Sequence, residues 1–174
     1  IFAKGNIPKS FLSSVSSLPV TITLAASGTA TGGGADYSIP SNTFTIPAGQ
    51  INVVTTVTAV QDNIDEIDET IILDIDQVTN GTENGTQQKT ITITDDDDTP
   101  TVQLSLVNAV MGEDADVSTL KATINRASSR DVTVNLVISG TASGGGVDYT
   151  ISSTTITIPA GQLSAVVTVT SVDD

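Results

Sequence analysis

The sequence predicts an all-β chain built of antiparallel β-sandwiches, and three observations support this fold class. Hydrophobic residues fill 38% of the 174 positions but aromatic residues only 3%, so Val, Ile, Leu, Ala and Thr must build the core, and these residues suit pleated strands better than long helices. Apolar and polar residues alternate with a period of two over several short segments. Turns rich in Gly and Pro separate those segments, as they do between the strands of a sandwich.

An internal repeat indicates two domains in tandem. Ser27–Ile39 reads SGTATGGGADYSI and Ser139–Ile151 reads SGTASGGGVDYTI, with ten of thirteen positions identical at an offset of 112 residues. The same offset relates TFTIPAGQ at Thr43–Gln50 to TITIPAGQ at Thr155–Gln162. An offset of this length is the size of an ordinary domain.

We predict repeat 1 over residues 1–98 and repeat 2 over residues 99–174, with both copies incomplete. The first copy has no counterpart of Val102–Gly112 and its opening residues do not resemble their equivalents, so its first strand is expected to be missing or divergent. The second copy has no counterpart of Asn63–Asp98. Repeat 2 is therefore expected to lack its last two strands.

The alternating segments predict individual strands, each with one buried face. They are Val20–Leu24, Phe44–Ile46, Ile91–Thr94, Val102–Leu106, Val132–Leu136 and Ile156–Ile158. The segment Asn80–Gln88, which contains two Asn-Gly pairs, is typical of a hairpin connection. It also contains N-x-T sequons at Asn80 and Asn84, so glycosylation of this loop is an open alternative.

The charge of the chain favours cations as partners. Acidic residues outnumber basic ones 20 to 6, which gives a formal net charge of -14. Such a field repels phosphate backbones and anionic lipids, so we expect no nucleic-acid partner. There is also no run of about 20 apolar residues that would span a bilayer.

The residues that are absent exclude most catalytic chemistry. The chain has no Cys and no His, which removes disulfides, thiol nucleophiles, the usual zinc sites and every scheme that needs an imidazole. A pair of carboxylates suits glycosidase chemistry, but a chain without Trp offers little surface on which to stack a sugar. We therefore expect a binding module and not an enzyme.

Two acidic segments carry the candidate metal site. The first is QDNIDEIDET, from Gln61 to Thr70, and the second is Asp95–Asp98. If the strands that they follow end at the same side of a sandwich, their carboxylates converge, and a calcium ion relieves the repulsion because it accepts six to eight oxygen ligands. Asp36 and Asp148, in matched loops beside a Gly triplet, add to this set. The alternative is a solvated acidic surface that supports solubility or blocks edge pairing.

A series of motifs resembles the Calx-beta domain family from about Leu18 onward. The motifs are G-T-A-x-x-G-x-D-Y, T-I-P-A-G-Q, V-x-x-D-D/N, D-E-x-x-D-E-T and a last strand that ends in ITDDD. The resemblance implies seven-stranded immunoglobulin-like sandwiches that bind calcium at one end, as in regulatory domains of sodium–calcium exchangers and in large bacterial surface proteins.

The resemblance also implies a set of calcium ligands. In repeat 1 these are Asp36, Asp62, Glu66, Glu69, Asp95, Asp96 and Asp97, and in repeat 2 they are Glu113, Asp148, Asp173 and Asp174. Asn63 stands where the family often has a second Asp, and nothing in repeat 1 matches Glu113. Asp65, Asp68 and Asp98 fall outside the motif and are expected to lie in an outer shell or to face solvent.

We therefore expect a calcium-binding structural or adhesive repeat of an extracellular or cell-surface protein, with calcium stiffening the interdomain junction. Its expected partners are calcium ions, neighbouring repeats of the same chain, and a cell-surface protein or glycan. Two alternatives remain open, namely a calcium-sensing regulatory domain of a membrane protein and a passive acidic spacer. Affinity separates them, because sub-micromolar binding suits a sensor inside the cell and about 0.1 to 1 mM suits an extracellular module.

Overall fold

The computed structural model describes residues 4–6 and 10–173, and in these residues it contains fifteen strands and no helix. The strands are β1 Lys4–Asn6, β2 Ser10–Phe11, β3 Val20–Gly28, β4 Tyr37–Ser38, β5 Thr43–Ile46, β6 Asn52–Val53, β7 Thr56–Ala59, β8 Glu69–Thr79, β9 Lys89–Ile93, β10 Val102–Leu106, β11 Val117–Ile124, β12 Val132–Asn135, β13 Tyr149–Ile151, β14 Thr155–Ile158 and β15 Ser164–Ser171. All of them pair antiparallel, which confirms the predicted all-β class. No helix able to cross a membrane occurs in this part of the chain.

The chain forms two compact units, and the short loop Asn63–Glu66 belongs to the second although the residues on both sides of it belong to the first. The first unit contains the residues up to Asp62 together with Ile67–Asp96, and the second contains Asn63–Glu66 together with the residues from Asp97 onward. The polypeptide therefore passes between the units three times, at 62/63, 66/67 and 96/97.

The first unit is a sandwich of two layers. One layer is the sheet β5-β3-β8-β9, and the other consists of the sheet β1-β7-β4 with the short pair β2-β6. Alternation places one face of each strand inward. At one end, Tyr37 and Val57 pack against Ile71 and Leu73, all less than 8% exposed, and at the other end Val20, Ile22 and Ile46 form a second cluster.

The second unit repeats part of this arrangement. Its larger sheet is β10-β11-β15-β13, and β12-β14 is the facing pair. The buried core joins Ala122, Ile124 and Val167 of the larger sheet to Ile156 and Ile158 of β14. The predicted strands at Val132–Leu136 and Ile156–Ile158 are thus confirmed as β12 and β14.

The first strands of the chain, β1 and β2, occupy the position that β11 has in the second unit. The two sequences do not resemble each other. Under the 112-residue offset, β6 and β7 fall within β15, and β1 and β2 fall at the position of β11. β1 pairs with β7 and β2 pairs with β6, as β11 pairs with β15. Backbone hydrogen bonds need no particular side chains, so pairing is kept where sequence similarity is lost.

The two units differ in the strands β8 and β9, which belong to the first unit. In the first unit β3 pairs with β5 on one edge and with β8 on the other, whereas β12 pairs only with β14 among the described residues. Tyr37 is consequently 7% exposed, while its equivalent Tyr149 is only half-buried.

The expectation of one buried face for each strand is wrong for β10. Its apolar residues Val102, Leu104 and Leu106 are 43%, 47% and 56% exposed. β10 is an edge strand that pairs with β11 alone. The pattern therefore predicted the strand correctly but not its burial.

The hairpin predicted at Asn80–Gln88 is confirmed, since β8 ends at Thr79 and β9 begins at Lys89. Asn80 and Gly85 adopt left-handed backbone angles, with φ of 60° and 67°, as Asn and Gly do in tight connections. The Asn80 side chain also donates a hydrogen bond of 2.9 Å to the carbonyl of Pro19. The turn interpretation therefore has a structural basis.

Gly28 and Gly140 offer a matched test of the contact between β3 and β8. Both have positive φ, of 118° and 139°, but a Cβ on Gly28 would collide with the Thr70 carbonyl, whereas a Cβ on Gly140 would meet nothing within 4 Å. We expect Gly28→Ala to destabilise its unit by about 1 to 3 kcal/mol more than Gly140→Ala destabilises the other. Hydrogen exchange of peptides from β8 and β14 measures each unit separately. Equal losses would contradict this packing.

Candidate metal centre

The loop before β4 holds the Asp36 carboxylate at one end of the first unit. Asp36 accepts a hydrogen bond from the Thr31 amide through Oδ2, and its own amide donates to the Thr31 carbonyl at 3.0 Å. Gly34 donates to the carbonyl of Tyr37, also at 3.0 Å. Gly34 has a φ of 95°, which a residue with a side chain would adopt only under strain. The loop therefore fixes the carboxylate beside the buried Tyr37.

The two acidic segments meet at this end. Glu69 is the first residue of β8 and pairs in register with Ile93, the last residue of β9. The residues that follow β9 therefore lie beside those that precede β8. The Asp95 amide donates to Asp68 Oδ1 at 3.1 Å, and Gln61 Nε2 donates to Asp96 Oδ1 at 2.9 Å.

Three carboxylates form a group suited to a cation. Asp36, Glu66 and Glu69 each present an oxygen within 4.8 Å of the other two, and all three side chains are half-buried. Two oxygens bound to one calcium ion at about 2.4 Å can lie no more than about 4.8 Å apart, so this spacing fits. Glu66 is covalently attached to Ile67, where the chain resumes the first unit. No other group of three carboxylates this close occurs in residues 4–6 and 10–173.

The other ligands predicted in repeat 1 differ from one another in their contacts and in the unit to which they belong. Asp95 is hydrogen-bonded to Asp68, the residue before Glu69, and Asp96 is hydrogen-bonded to Gln61. Asp62 is exposed directly after Gln61. Asp97 belongs to the second unit, where its carboxylate lies 3.4 Å from the Arg126 guanidinium.

In the second unit the matching loop is preserved. Asp148 accepts from the Ser143 amide and donates to the Ser143 carbonyl, as Asp36 does with Thr31. Asp148, Glu113 and Asp173 are exposed, and among the described residues they form no close group of three. Asp174 lies outside the described residues.

Asp65 does not face solvent, which was one of the two positions expected for it. Asp65 is 4% exposed, and its Oδ2 accepts from Ser128 Oγ at 2.7 Å and from Arg130 Nη2 at 3.2 Å. These partners lie more than 60 residues along the chain, and no local pattern in the sequence indicates them. The hydrogen bond from Ser128, with further contributions from Arg130, lowers the pKa of Asp65 below its usual value of 3.8.

The pKa of Asp96 is also lowered, chiefly by the hydrogen bond from Gln61. Hydrogen bonds to the charged form keep a carboxylate ionised. An ionised Asp96 beside Asp95 adds to the negative charge at this end of the unit.

Comparison with protein families places the geometry in context. The model of the Calx-beta domain matches the chain twice, over residues 15–97 and 95–174. Calx-beta domains are calcium-binding β-sandwich modules with structural and regulatory roles and no catalytic one. A comparison with curated proteins finds no match.

The lowered pKa of Asp65 predicts a pH-dependent contribution to stability. Because the folded-state pKa lies below the unfolded value of 3.8, the contribution is present above about pH 4 and is lost as the pH falls through the folded-state pKa. We expect Asp65→Asn to be less stable than the parent at pH 7, with the difference shrinking toward pH 2. Denaturant titrations in chelator measure it, with the exposed Asp114→Asn as the charge control. A difference independent of pH would contradict the ionised pairing.

Proposed function

Because this chain belongs to the Calx-beta domain family, we propose that it binds Ca²⁺ through Asp36, Glu66 and Glu69. The observation that carries the proposal is the spacing of these three carboxylates, which lie within 4.8 Å of one another. Two carboxylates at such distances repel by about 1 kcal/mol even in bulk water. A bound cation turns this repulsion into attraction.

Calcium suits this group better than magnesium does. It accepts six to eight oxygens in flexible geometry, whereas Mg²⁺ requires a near-ideal octahedron and retains much of its water. Asp95 is hydrogen-bonded to Asp68, which precedes Glu69, and Asp96 to Gln61, which precedes Asp62. We assign Asp62, Asp95 and Asp96 to the remaining coordination positions. Asp97 is the weakest member of the predicted set, because Arg126 already neutralises its charge.

We propose a second, partial site in the other unit. It would use Asp148 from the matching loop together with Glu113, Asp173 and Asp174. The support is the repeated hydrogen-bond pattern around Asp148 and the second family match over residues 95–174.

We further propose that calcium stiffens the junction between the units. The chain passes between the units at 62/63, 66/67 and 96/97. A proposed ligand stands next to each crossing, namely Asp62, Glu66 and Asp96. An ion held by these residues restrains the backbone at all three crossings at once.

This role suits a structural or adhesive repeat of an extracellular or cell-surface protein. A chain with a net charge of -14 repels itself, and calcium at millimolar concentration outside cells offsets that repulsion at its densest point. In such an array the partners are neighbouring repeats of the same protein and a cell-surface protein or glycan.

Calcium titration by calorimetry tests the site. We expect saturable binding to the parent chain at about 0.1 to 1 mM, the range of extracellular modules. Glu69→Gln is expected to weaken binding at least about tenfold, whereas Asp76→Asn, an exposed carboxylate on the same strand, leaves it unchanged. Sub-micromolar affinity would favour a sensor instead, and no saturable binding would leave only an acidic spacer.

Small-angle scattering tests the stiffening. We expect the scattering profile in calcium to differ from that in chelator, because the restrained junction samples fewer shapes. Glu69→Gln at the same calcium concentration should retain the chelator profile. Identical profiles for the parent under both conditions would contradict a role at the junction even if calcium binds.

A further inference from the structure

We propose that Asn84 is a site of spontaneous chemical modification, where the folded chain converts an asparagine into aspartate and isoaspartate, and that Asn80 is protected from the same reaction. The sequence holds two Asn-Gly pairs, Asn80-Gly81 and Asn84-Gly85, and Thr follows each of them. The local sequence therefore gives the two pairs similar reactivity. The structure makes them different, and the difference does not depend on calcium.

The reaction joins an Asn side chain to the backbone of the next residue. The Gly85 nitrogen attacks Cγ of Asn84, and the new N–Cγ bond closes a cyclic imide. The side-chain nitrogen leaves as ammonia, and the proton that it takes up replaces the one that the Gly85 amide gives to solvent. Water then adds to the imide and breaks either of its two ring C–N bonds, which yields aspartate or isoaspartate. Glycine favours ring closure because no Cβ obstructs its nitrogen.

Asn84 has the freedom that ring closure needs. It is exposed, as are all residues from 81 to 90. Its backbone carbonyl accepts from Gln87 Nε2 at 2.7 Å, but no described residue forms a hydrogen bond with its side chain. Gly85 has a φ of 67°, and a Cβ placed on it would meet nothing within 4 Å. Both partners of the reaction can therefore rotate toward each other.

Asn80 is held on both sides. Its Nδ2, which would be the leaving group, donates to the carbonyl of Pro19 at 2.9 Å. A Cβ on Gly81 would lie 3.2 Å from Cγ1 of both Val20 and Val78, so the Gly81 backbone packs closely against these two side chains. Val20 is only 1% exposed. Ring closure at Asn80 therefore requires the hydrogen bond to break and Gly81 to move against the core.

The position of Asn84 also makes the product compatible with the fold. The ladder between β8 and β9 ends at the pair of Leu73 with Lys89, so Asn84 lies outside it. An isoaspartate lengthens the main chain by one carbon, which an exposed connection absorbs. Asn80, in contrast, directly follows Thr79, which pairs with Thr21. We expect the chain modified at Asn84 to stay folded and to carry one more negative charge, beside Glu83.

Peptide mapping of the full chain tests the difference between the two sites. The chain is incubated in chelator at mildly alkaline pH and then digested with a protease that cleaves after Glu, because cleavage after Glu83 places Asn80 and Asn84 in separate peptides. Mass spectrometry detects the exchange of an amide for a carboxyl group, and chromatography separates isoaspartate from aspartate. We expect Asn84 to convert about tenfold faster than Asn80, which must first break its hydrogen bond.

The chain in denaturant is the matched control, because it keeps both Asn-Gly-Thr sequences and loses the fold. Under those conditions the two sites should convert at similar rates. Gly85→Ala adds a Cβ beside the attacking nitrogen, and it should slow conversion at Asn84 while leaving Asn80 unchanged. Equal rates in the folded chain, faster conversion at Asn80, or an unreactive Asn84 under conditions in which the denatured chain reacts would each overturn the proposal.

Discussion

Mutual repulsion among carboxylates is the constraint on which the structure at this end of the first unit depends. Asp36, Glu66 and Glu69 each place an oxygen within 4.8 Å of the others, in a chain with 20 acidic and 6 basic residues. Such a group costs free energy wherever the solvent is partly excluded. The Thr31 amide donates to Asp36 of this group, and the Gln61 side chain donates to Asp96 of the acidic run after β9. Neutral donors such as these orient carboxylates without cancelling their charge, and a bound cation is the proposed means of offsetting the repulsion.

The sandwich brings the acids together because of where its strands begin and end. Glu69 opens β8 opposite Ile93, which closes β9, so the acids on both sides of the hairpin share one end of the sheet. Asp36 reaches the same end from the other layer, through the loop before β4. The second unit reproduces that loop around Asp148 but has no strands equivalent to β8 and β9 among its described residues. Among the described residues, the loop around Asp148 is not accompanied by a close group of three carboxylates.

Most of the fold follows from local patterns, and most of what the sequence missed depends on distant contacts. Alternation predicted β3, β5, β9, β10, β12 and β14, and the Asn-Gly pairs predicted the hairpin, because period and turn chemistry are properties of neighbouring residues. The exposure of β10 depends on what covers it, which alternation does not reveal. Asp65 and Asp97 looked like other members of an acidic run, but Ser128, Arg130 and Arg126 give them separate roles. The family resemblance supplied the remaining ligand assignments, and the spacing of Asp36, Glu66 and Glu69 is compatible with them.

The central claim is that one calcium ion joins Asp36, Glu66 and Glu69. A crystal structure of the full chain grown in saturating calcium, with anomalous scattering to identify the ion, tests it most directly. The account predicts an anomalous peak about 2.3 to 2.6 Å from a carboxylate oxygen of each of the three residues. Well-ordered side chains at that site with no peak among them would contradict it.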